Sequence, residues 1–155
     1  MWSRAQQYRL AVEQQILAHE LAQFTFHNLT GDTYVSGWQG TAGGDRDYLL
    51  KLVLGPGYPD RMPSLYVVSP ITLRTYRNRS TINAMGLSHR FHVLGTGLGG
   101  CVEICHTKPE LWDAAMTCTA VLMKGIVWLE AYEAHRRTGR DLCEFCVSSK
   151  SNSIL

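Results

Sequence analysis

The chain of 155 residues is 45% hydrophobic and 18% charged, and it carries a formal net charge of +2 at pH 7. These values predict one globular domain with a substantial apolar core. The charge is too small to indicate a nucleic-acid partner, and no apolar run approaches the roughly 20 residues that cross a membrane. Because the N-terminus lacks the pattern of a signal peptide, we expect a cytoplasmic protein with neither nucleic acid nor membrane as a partner.

The first predicted element is a helix from Ser3 to Phe24, with Ser3 as its cap. Apolar residues recur along it at helical spacing and predict its buried face. These residues are Ala5, Tyr8, Val12, Ile16, Leu17, Leu21 and Phe24. Arg4 and Arg9 lie near its start, where the helix dipole does not favour cations. Two interpretations of these arginines stay open, a solvated face and a docking surface for a partner.

The next stretch predicts an antiparallel meander of four strands. Residues 25–42 have the pattern of two strands around the turn Thr30-Gly31-Asp32, and residues 48–54 and 65–68 supply the third and fourth strands. Prolines end the third strand, since proline offers no donor to a ladder. Residues 71–100 have little periodicity and predict a long irregular loop, a kind of segment that often carries function.

A second long helix is predicted from Trp112 to Arg137. Asp113 is placed to cap this helix or to favour its positive end, and Gly139 is a natural stop. One apolar stripe marks the face that we expect to be buried. The stripe consists of Cys118, Val121, Leu122, Gly125, Leu129 and Tyr132. We therefore expect one domain over residues 1–142 and a flexible C-terminal tail over residues 143–155.

Reactive side chains concentrate in the stretch from Gly99 to His106, which reads Gly-Gly-Cys-Val-Glu-Ile-Cys-His. The two glycines allow a backbone to come close to another molecule. The chain has five cysteines, an odd number, which without a secretion signal predicts free thiols rather than disulfides. Cys101 and Cys105 are therefore candidate nucleophiles, with His92 and His106 as candidate assisting groups.

Several short motifs, taken in order, resemble the ubiquitin-conjugating enzyme family over most of the chain. The segment Tyr48-Leu49-Leu50-Lys51-Leu52, followed by Gly57-Tyr58-Pro59-Asp60-Arg61-Met62-Pro63, is similar to a strand of that family and its Tyr-Pro-x-x-x-Pro turn. Leu65-Tyr66-Val67-Val68 resembles the next strand. Cys101-Val102-Glu103-Ile104 resembles the Cys-Leu-Asp-Ile segment around the active cysteine. Trp112-Asp113-Ala114-Ala115-Met116-Thr117 resembles the Trp-Ser-Pro-Ala-Leu-Thr entry to the second helix.

The resemblance implies an α+β fold with an N-terminal helix, a four-stranded antiparallel meander, a long active-site loop and a C-terminal helix. It implies an enzyme that accepts a ubiquitin-like protein from an activating enzyme as a cysteine thioester and transfers it to an amine of a target protein. No cofactor and no metal are implied. The motifs are closest in character to divergent bacterial members of the family, some of which belong to antiviral defence operons.

Two alignments leave the nucleophile open. Counting from His92 selects Cys101, which also carries the Cys-Val-Glu-Ile match and is the favoured choice. Counting back from Trp112 selects Cys105 instead. The resemblance further implies that an acidic residue orients the incoming lysine, and Glu103 and Asp113 are the candidates.

The main departure from the family concerns its His-Pro-Asn motif, which reads His92-Val93-Leu94 here. The family's asparagine stabilises the oxyanion of the aminolysis step, and neither Val93 nor Leu94 has a side chain that can do so. We expect backbone N–H groups of Gly99 and Gly100, or the ring of His106, to replace it.

Three alternatives stay open. The chain could be a catalytically inactive binding module with the same fold, which the missing asparagine favours. A zinc site could use Cys143-x-x-Cys146 with Cys101, Cys105 and His106, although a single Cys-x-x-Cys pair is a weak signal. A cysteine hydrolase could use Cys101 and His92 as a dyad, but the order of the predicted elements fits that class poorly.

Overall fold

A computed structural model describes residues 1–44 and 46–147 of the chain as three helices and one seven-stranded sheet. The helices are α1 (Arg4–Glu20), α2 (Cys118–Thr138) and α3 (Leu142–Val147). The strands are β1 (Phe24–His27), β2 (Tyr34–Gln39), β3 (Tyr48–Val53), β4 (Ser64–Ser69), β5 (Leu87–Ser88), β6 (Val93–Gly97) and β7 (Cys101–Ile104). All neighbouring strands are antiparallel, in the order β1-β2-β3-β4-β7-β6-β5.

The mixed α+β class, the N-terminal helix and the long C-terminal helix are confirmed, but the predicted number of strands is wrong. β1 to β4 form the expected meander, whereas the region predicted as an irregular loop contributes β5 and β6 to the same sheet. β6 reads Val-Leu-Gly-Thr-Gly and bulges between Val93 and Gly95, so it has no clean alternation of apolar and polar residues. The sequence signal of a strand is weak where glycine replaces the side chains that define its faces.

The glycine-rich turn is the connection of the β6–β7 hairpin. Leu98, Gly99 and Gly100 have φ angles of 48°, 75° and 98°, and the N–H of Gly100 donates to the carbonyl of Gly97. Positive φ at three consecutive residues favours glycine, because a Cβ is strained in that region. The glycines thus serve to reverse the chain.

α1 begins as predicted, ends at Glu20 rather than Phe24, and buries a face that shares only Leu17 with the predicted stripe. Ser3 and Gln6 form a reciprocal capping box at its start. The predicted stripe included Tyr8 and Val12, yet these side chains are 66% and 53% exposed. The buried residues of the helix are Leu10, Glu13 and Leu17. The stripe was misassigned because the buried face carries a carboxylate, which a hydrophobic pattern counts as a solvent position.

α2 begins six residues later than predicted, at Cys118. The hydroxyl of Thr117 caps it by accepting the N–H of Ala120 at 3.1 Å. Asp113 caps an earlier turn instead, where its Oδ1 accepts the N–H of Ala115 at 2.7 Å. The predicted apolar stripe is buried throughout, and Gly139 ends the helix with a φ of 76°.

α2 packs on the inner face of the sheet. Leu50, Leu65 and Val102 are fully buried there. A Cβ added to Gly125 would lie 2.6 Å from a methyl group of Leu65, so the helix approaches β4 closely. Because side chains alternate along a strand, Cys101 and Glu103 point to the opposite, outer face.

The C-terminal prediction lies partly within the described residues. The predicted tail, residues 143–155, overlaps α3, and Leu142 at the start of this helix is fully buried. Residues 148–155 lie outside the described part of the chain. Over the described ranges, no helix combines the length and the apolarity needed to cross a membrane.

Candidate active site

Cys101, the favoured nucleophile of the sequence interpretation, is buried in the outer layer of the sheet. Its side chain is 3% exposed, and its thiol donates to the carbonyl of Leu98 at 3.3 Å. Directly opposite in register is Gly97, where an added Cβ would lie 2.9 Å from the ring of Tyr66. Burial raises the pKa of Cys101, and Lys51 opposes this only in part. A covered thiol with a raised pKa is poorly suited to attack a protein-sized substrate.

Cys105 lies just beyond the end of β7 and is only half-buried. Its N–H donates to the carbonyl of His92 at 2.9 Å, and its thiol contacts the carbonyl of Thr107 at 3.5 Å. Burial and, less strongly, Glu110 raise the pKa of the thiol, while Lys108 lowers it. Accessibility therefore favours Cys105 over Cys101, and the resting group is a thiol.

Gly99 and Gly100 are too far from Cys105 to stabilise an oxyanion there. They lie at the hairpin turn, and β7 separates them from Cys105. Four strand residues span roughly 13 Å. The structure brings these glycines next to Cys101 only.

His106 is a structural histidine. It is fully buried, its Nε2 lies 2.9 Å from the carbonyl of Pro63, and its Nδ1 lies 3.2 Å from the hydroxyl of Thr107. Because a carbonyl only accepts, Nε2 carries the proton and Nδ1 accepts from Thr107. Burial lowers the pKa of His106 to about 4. Both of its ring nitrogens are engaged, so the predicted oxyanion role of His106 would require its bond to Pro63 to break.

Two contacts hold the segment around Cys105 against the Tyr-Pro turn, residues 58–63. One is the bond from His106 to Pro63. The other runs from the indole Nε1 of Trp112 to the carbonyl of Pro59, at 2.9 Å. The rings of His106 and Trp112 also meet edge to face, with centroids 6.0 Å apart. Both anchored residues follow Cys105 in the chain, His106 directly and Trp112 seven residues later, and we call this anchored segment with its two contacts the thiol bracket.

Lys124 is a charged residue of this site that the sequence interpretation missed. It extends from α2, and its Nζ donates to the hydroxyl of Thr107 at 3.1 Å. Burial lowers its pKa, and its interaction with Cys105 opposes that change. The only sequence signal was the position of this lysine beside the apolar stripe of α2. A lysine there usually marks the edge of the buried face of a helix. Lys124 and Lys108 are the cations next to the thiol.

His92 contacts Cys105 through its backbone. It adopts a φ of 50°, and its carbonyl is the acceptor for the Cys105 N–H. Burial lowers the pKa of its ring, helped by His89 and Lys108. Its Nε2 is buried and has no hydrogen-bond partner among residues 1–44 and 46–147. The backbone of His92 is strained, and its carbonyl fixes the chain where it leaves β7. The imidazole is not presented as a base at the surface.

The predicted binding residues are dispersed. Glu103 is half-exposed on the outer face opposite Tyr66, and it acts electrostatically on Cys105. Asp113 is exposed and engaged in its own turn. Arg4 is exposed at the start of α1. Arg9 is a structural clamp, because it donates to the carbonyls of Ala114 and Met116 at 2.7 Å each; the docking role suggested for it is not compatible with these contacts.

Glu13 is a second residue that the sequence interpretation missed, and it anchors the start of α2. It is fully buried, pairs with Arg9 at 2.7 Å and accepts the hydroxyl of Tyr58 at 2.5 Å. Its other oxygen accepts the N–H of Cys118 at 2.8 Å. One carboxylate therefore joins α1, the Tyr-Pro turn and α2. Its signal in the sequence was its spacing, three residues after Leu10 and four before Leu17, which places the three side chains on one helical face.

The described part of the chain holds no group of three or more His, Cys, Asp or Glu side chains that could bind a metal ion. The side chain of Cys146, which the zinc alternative requires, lies outside that part. No protein-family model, curated protein or solved structure matches this chain significantly.

Proposed function

We propose that the protein carries the C-terminus of a ubiquitin-like protein as a thioester on Cys105. The observation that carries the proposal is the thiol bracket, whose contacts to Pro63 and Pro59 anchor the segment that begins with the accessible Cys105 to the Tyr-Pro turn. In the ubiquitin-conjugating resemblance, that turn and the tryptophan flank the active cysteine. The hydrogen bond between Trp112 and Pro59 joins these two motifs across 53 residues of sequence.

The proposed reaction has two transfers. The Cys105 thiolate attacks the thioester carbonyl of an activating enzyme's adduct, and the activating enzyme's thiolate leaves. An amine of a target protein then attacks the new thioester, loses a proton and releases the Cys105 thiolate. Each step exchanges one acyl bond for another, so no oxidant or cofactor is required.

The cations beside Cys105 supply the electrostatic support for both transfers. Lys108 lowers the pKa of the thiol, and Lys124 is held beside it by Thr107. Positive charge favours the attacking thiolate and the oxyanion that forms at the carbonyl. In this proposal Lys124 takes part of the role of the missing asparagine, and Glu103 or Glu110 faces the incoming amine.

The arrangement of α1, the meander, the Tyr-Pro turn and α2 supports a ubiquitin-conjugating-like fold as part of the same proposal. The resemblance to bacterial members also indicates the partners, which are an activating enzyme and a modifier encoded by neighbouring genes. A setting in antiviral defence is an extension of this resemblance.

The test is incubation with the activating enzyme and ubiquitin-like protein encoded beside this gene, with ATP and Mg²⁺, followed by non-reducing electrophoresis. We expect a reductant-sensitive adduct on the wild type and on Cys101→Ala, and none on Cys105→Ala. Cys105→Ser should give an adduct that resists reductant. An adduct that persists on Cys105→Ala would refute the assignment.

One observation favours a second candidate, an inactive binding module of the same fold. Burial and Glu110 raise the pKa of Cys105, so the isolated protein does not present a thiolate. If the modifier binds the wild type and Cys105→Ala equally and no thioester forms, this second function holds. Lys124→Met distinguishes the carrier from the binding module. In a carrier it should slow thioester formation about ten-fold and leave binding of the modifier unchanged.

A further inference from the structure

Several arginines lie close together at one end of the fold, although the net charge of the chain is only +2. Three arginines are close together in the sequence, at positions 74, 77 and 79, and the fold brings three more beside them at the C-terminal end of α2. This arginine surface consists of Arg46, Arg74, Arg77, Arg79, Arg136 and Arg137. We infer that it docks an acidic segment of a protein partner, at a site separate from Cys105.

Two polar contacts fix the loop that carries three of these arginines to α2. The hydroxyl of Tyr132 donates to the carbonyl of Arg74 at 2.8 Å, and the N–H of Tyr76 donates to the imidazole of His135 at 3.2 Å. The ring of Tyr76 also lies against Gly139, where an added Cβ would come within 2.7 Å. The loop is therefore an anchored part of the fold.

The backbone of this loop is strained at Arg77 and at the residue that follows it. Arg77 and Asn78 have φ angles of 57° and 54°, although neither is glycine. Two consecutive left-handed residues cost free energy, and such strain persists where the surroundings enforce it, often at binding sites. The Arg77 guanidinium lies over the Tyr76 ring, 5.0 Å from its centroid.

The charges of the surface are mostly unpaired. Arg74, Arg77, Arg79 and Arg137 make no ion pair with any residue that the structure describes. Arg46 and Arg136 share a single carboxylate, Glu133, at 3.6 and 3.3 Å. Setting these six arginines and Glu133 aside leaves nine basic and twelve acidic residues in the rest of the chain.

The chemistry of the surface fits carboxylates displayed on a protein. An arginine fork binds a carboxylate or a phosphate in two-pronged fashion. Single-stranded nucleic acid needs exposed aromatic rings for stacking, but Tyr76 is covered by Arg77 and Gly139. Proteins that recognise duplex DNA insert a helix or a β-ribbon into a groove. The arginine surface instead consists of a short loop and the end of a helix. An Asp- or Glu-rich segment is the occupant that these features favour.

The position of the surface leaves Cys105 accessible. Lys124, which lies beside Cys105, and Arg136 at the arginine end are twelve residues apart on α2, a separation of about 18 Å along the helix. A partner held at the arginine surface can therefore remain bound while the thiol is used. The inference does not depend on the proposed function of Cys105.

The test is fluorescence anisotropy with a labelled ten-residue polyglutamate peptide at low salt. We expect Arg77→Glu with Arg79→Glu to weaken binding about ten-fold or more. The matched control combines Arg4→Glu with Arg61→Glu, which make the same charge change at exposed positions near the opposite end, and it should weaken binding less than about two-fold. Arg77→Lys with Arg79→Lys should keep part of the affinity that the glutamate pair loses, because lysine carries the charge without the two-pronged guanidinium.

Two outcomes would overturn the inference. Equal weakening by the two charge-reversal pairs would mean that only the overall charge matters. Binding of a labelled 20-base-pair duplex about ten-fold tighter than the peptide, and lost in the Arg77 and Arg79 pair, would identify nucleic acid as the occupant. Circular dichroism of both pairs checks that the variants are folded.

Discussion

Lowering the pH should destabilise the thiol bracket through a single side chain, His106. Its folded-state pKa is about 4, against 6.5 for the unperturbed group. Between these values the unfolded chain binds a proton that the folded chain does not. The contribution of neutral His106 to the free energy of unfolding is therefore complete above pH 6.5 and is lost as the pH falls towards 4. Linkage gives a loss of about 2 kcal/mol at pH 5 relative to pH 7, and about 3 kcal/mol once the folded group is also protonated.

The assay is urea unfolding followed by tryptophan fluorescence, with wild type and His106→Gln compared at pH 7 and pH 5. Glutamine does not titrate, and its amide N–H can still donate to Pro63. The wild type should lose about 2 kcal/mol more than the variant between the two pH values. Other groups titrate alike in both proteins and cancel in this difference. An equal loss in both would refute the assignment of His106 as a buried neutral donor.

Three further predictions concern reactivity and packing. N-Ethylmaleimide should modify Cys105 about ten-fold or more faster than Cys101, as read by peptide mass spectrometry; the reverse order would contradict the burial of Cys101. Glu13→Ala should lower the free energy of unfolding by about 3–5 kcal/mol, because it leaves buried donors and the Arg9 cation without their acceptor. A loss under about 1 kcal/mol in urea unfolding would contradict the role of Glu13 as an anchor. Gly125→Ala should cost about 1–3 kcal/mol through its clash with Leu65, whereas Gly55→Ala, which meets open space, should change stability by less than about 1 kcal/mol in the same assay.

Local patterns predicted the elements whose signals lie within a short stretch of sequence. The four strands of the meander, the cap at Ser3 and the buried stripe of α2 all follow from periodicity and turn residues. The start of α2 was misplaced because Trp112 marks the segment before the helix, and Thr117 is a better cap than Asp113 in this context. The motif resemblance directed attention to this segment, and spacing alone left two cysteines as candidates.

Long-range contacts account for the misassigned features. The burial of Glu13 depends on Tyr58 and Cys118, which are 45 and 105 residues away, and no local pattern contains that information. The choice between the cysteines depends on the burial of Cys101 within the β6–β7 pair, where Gly97 lies opposite it in register. Lys124 acquired its place beside Cys105 only through the packing of α2.

The Glu13 contact also sets an order of events during synthesis. Its carboxylate leaves the ribosome early, whereas the Cys118 N–H that it binds is 105 residues further along the chain. Contacts between distant segments form late, since the intervening chain must first be made and closed into a loop. Cys105 therefore emerges before the anchor of α2 exists, and the nascent chain exposes its thiol before the surrounding fold is complete.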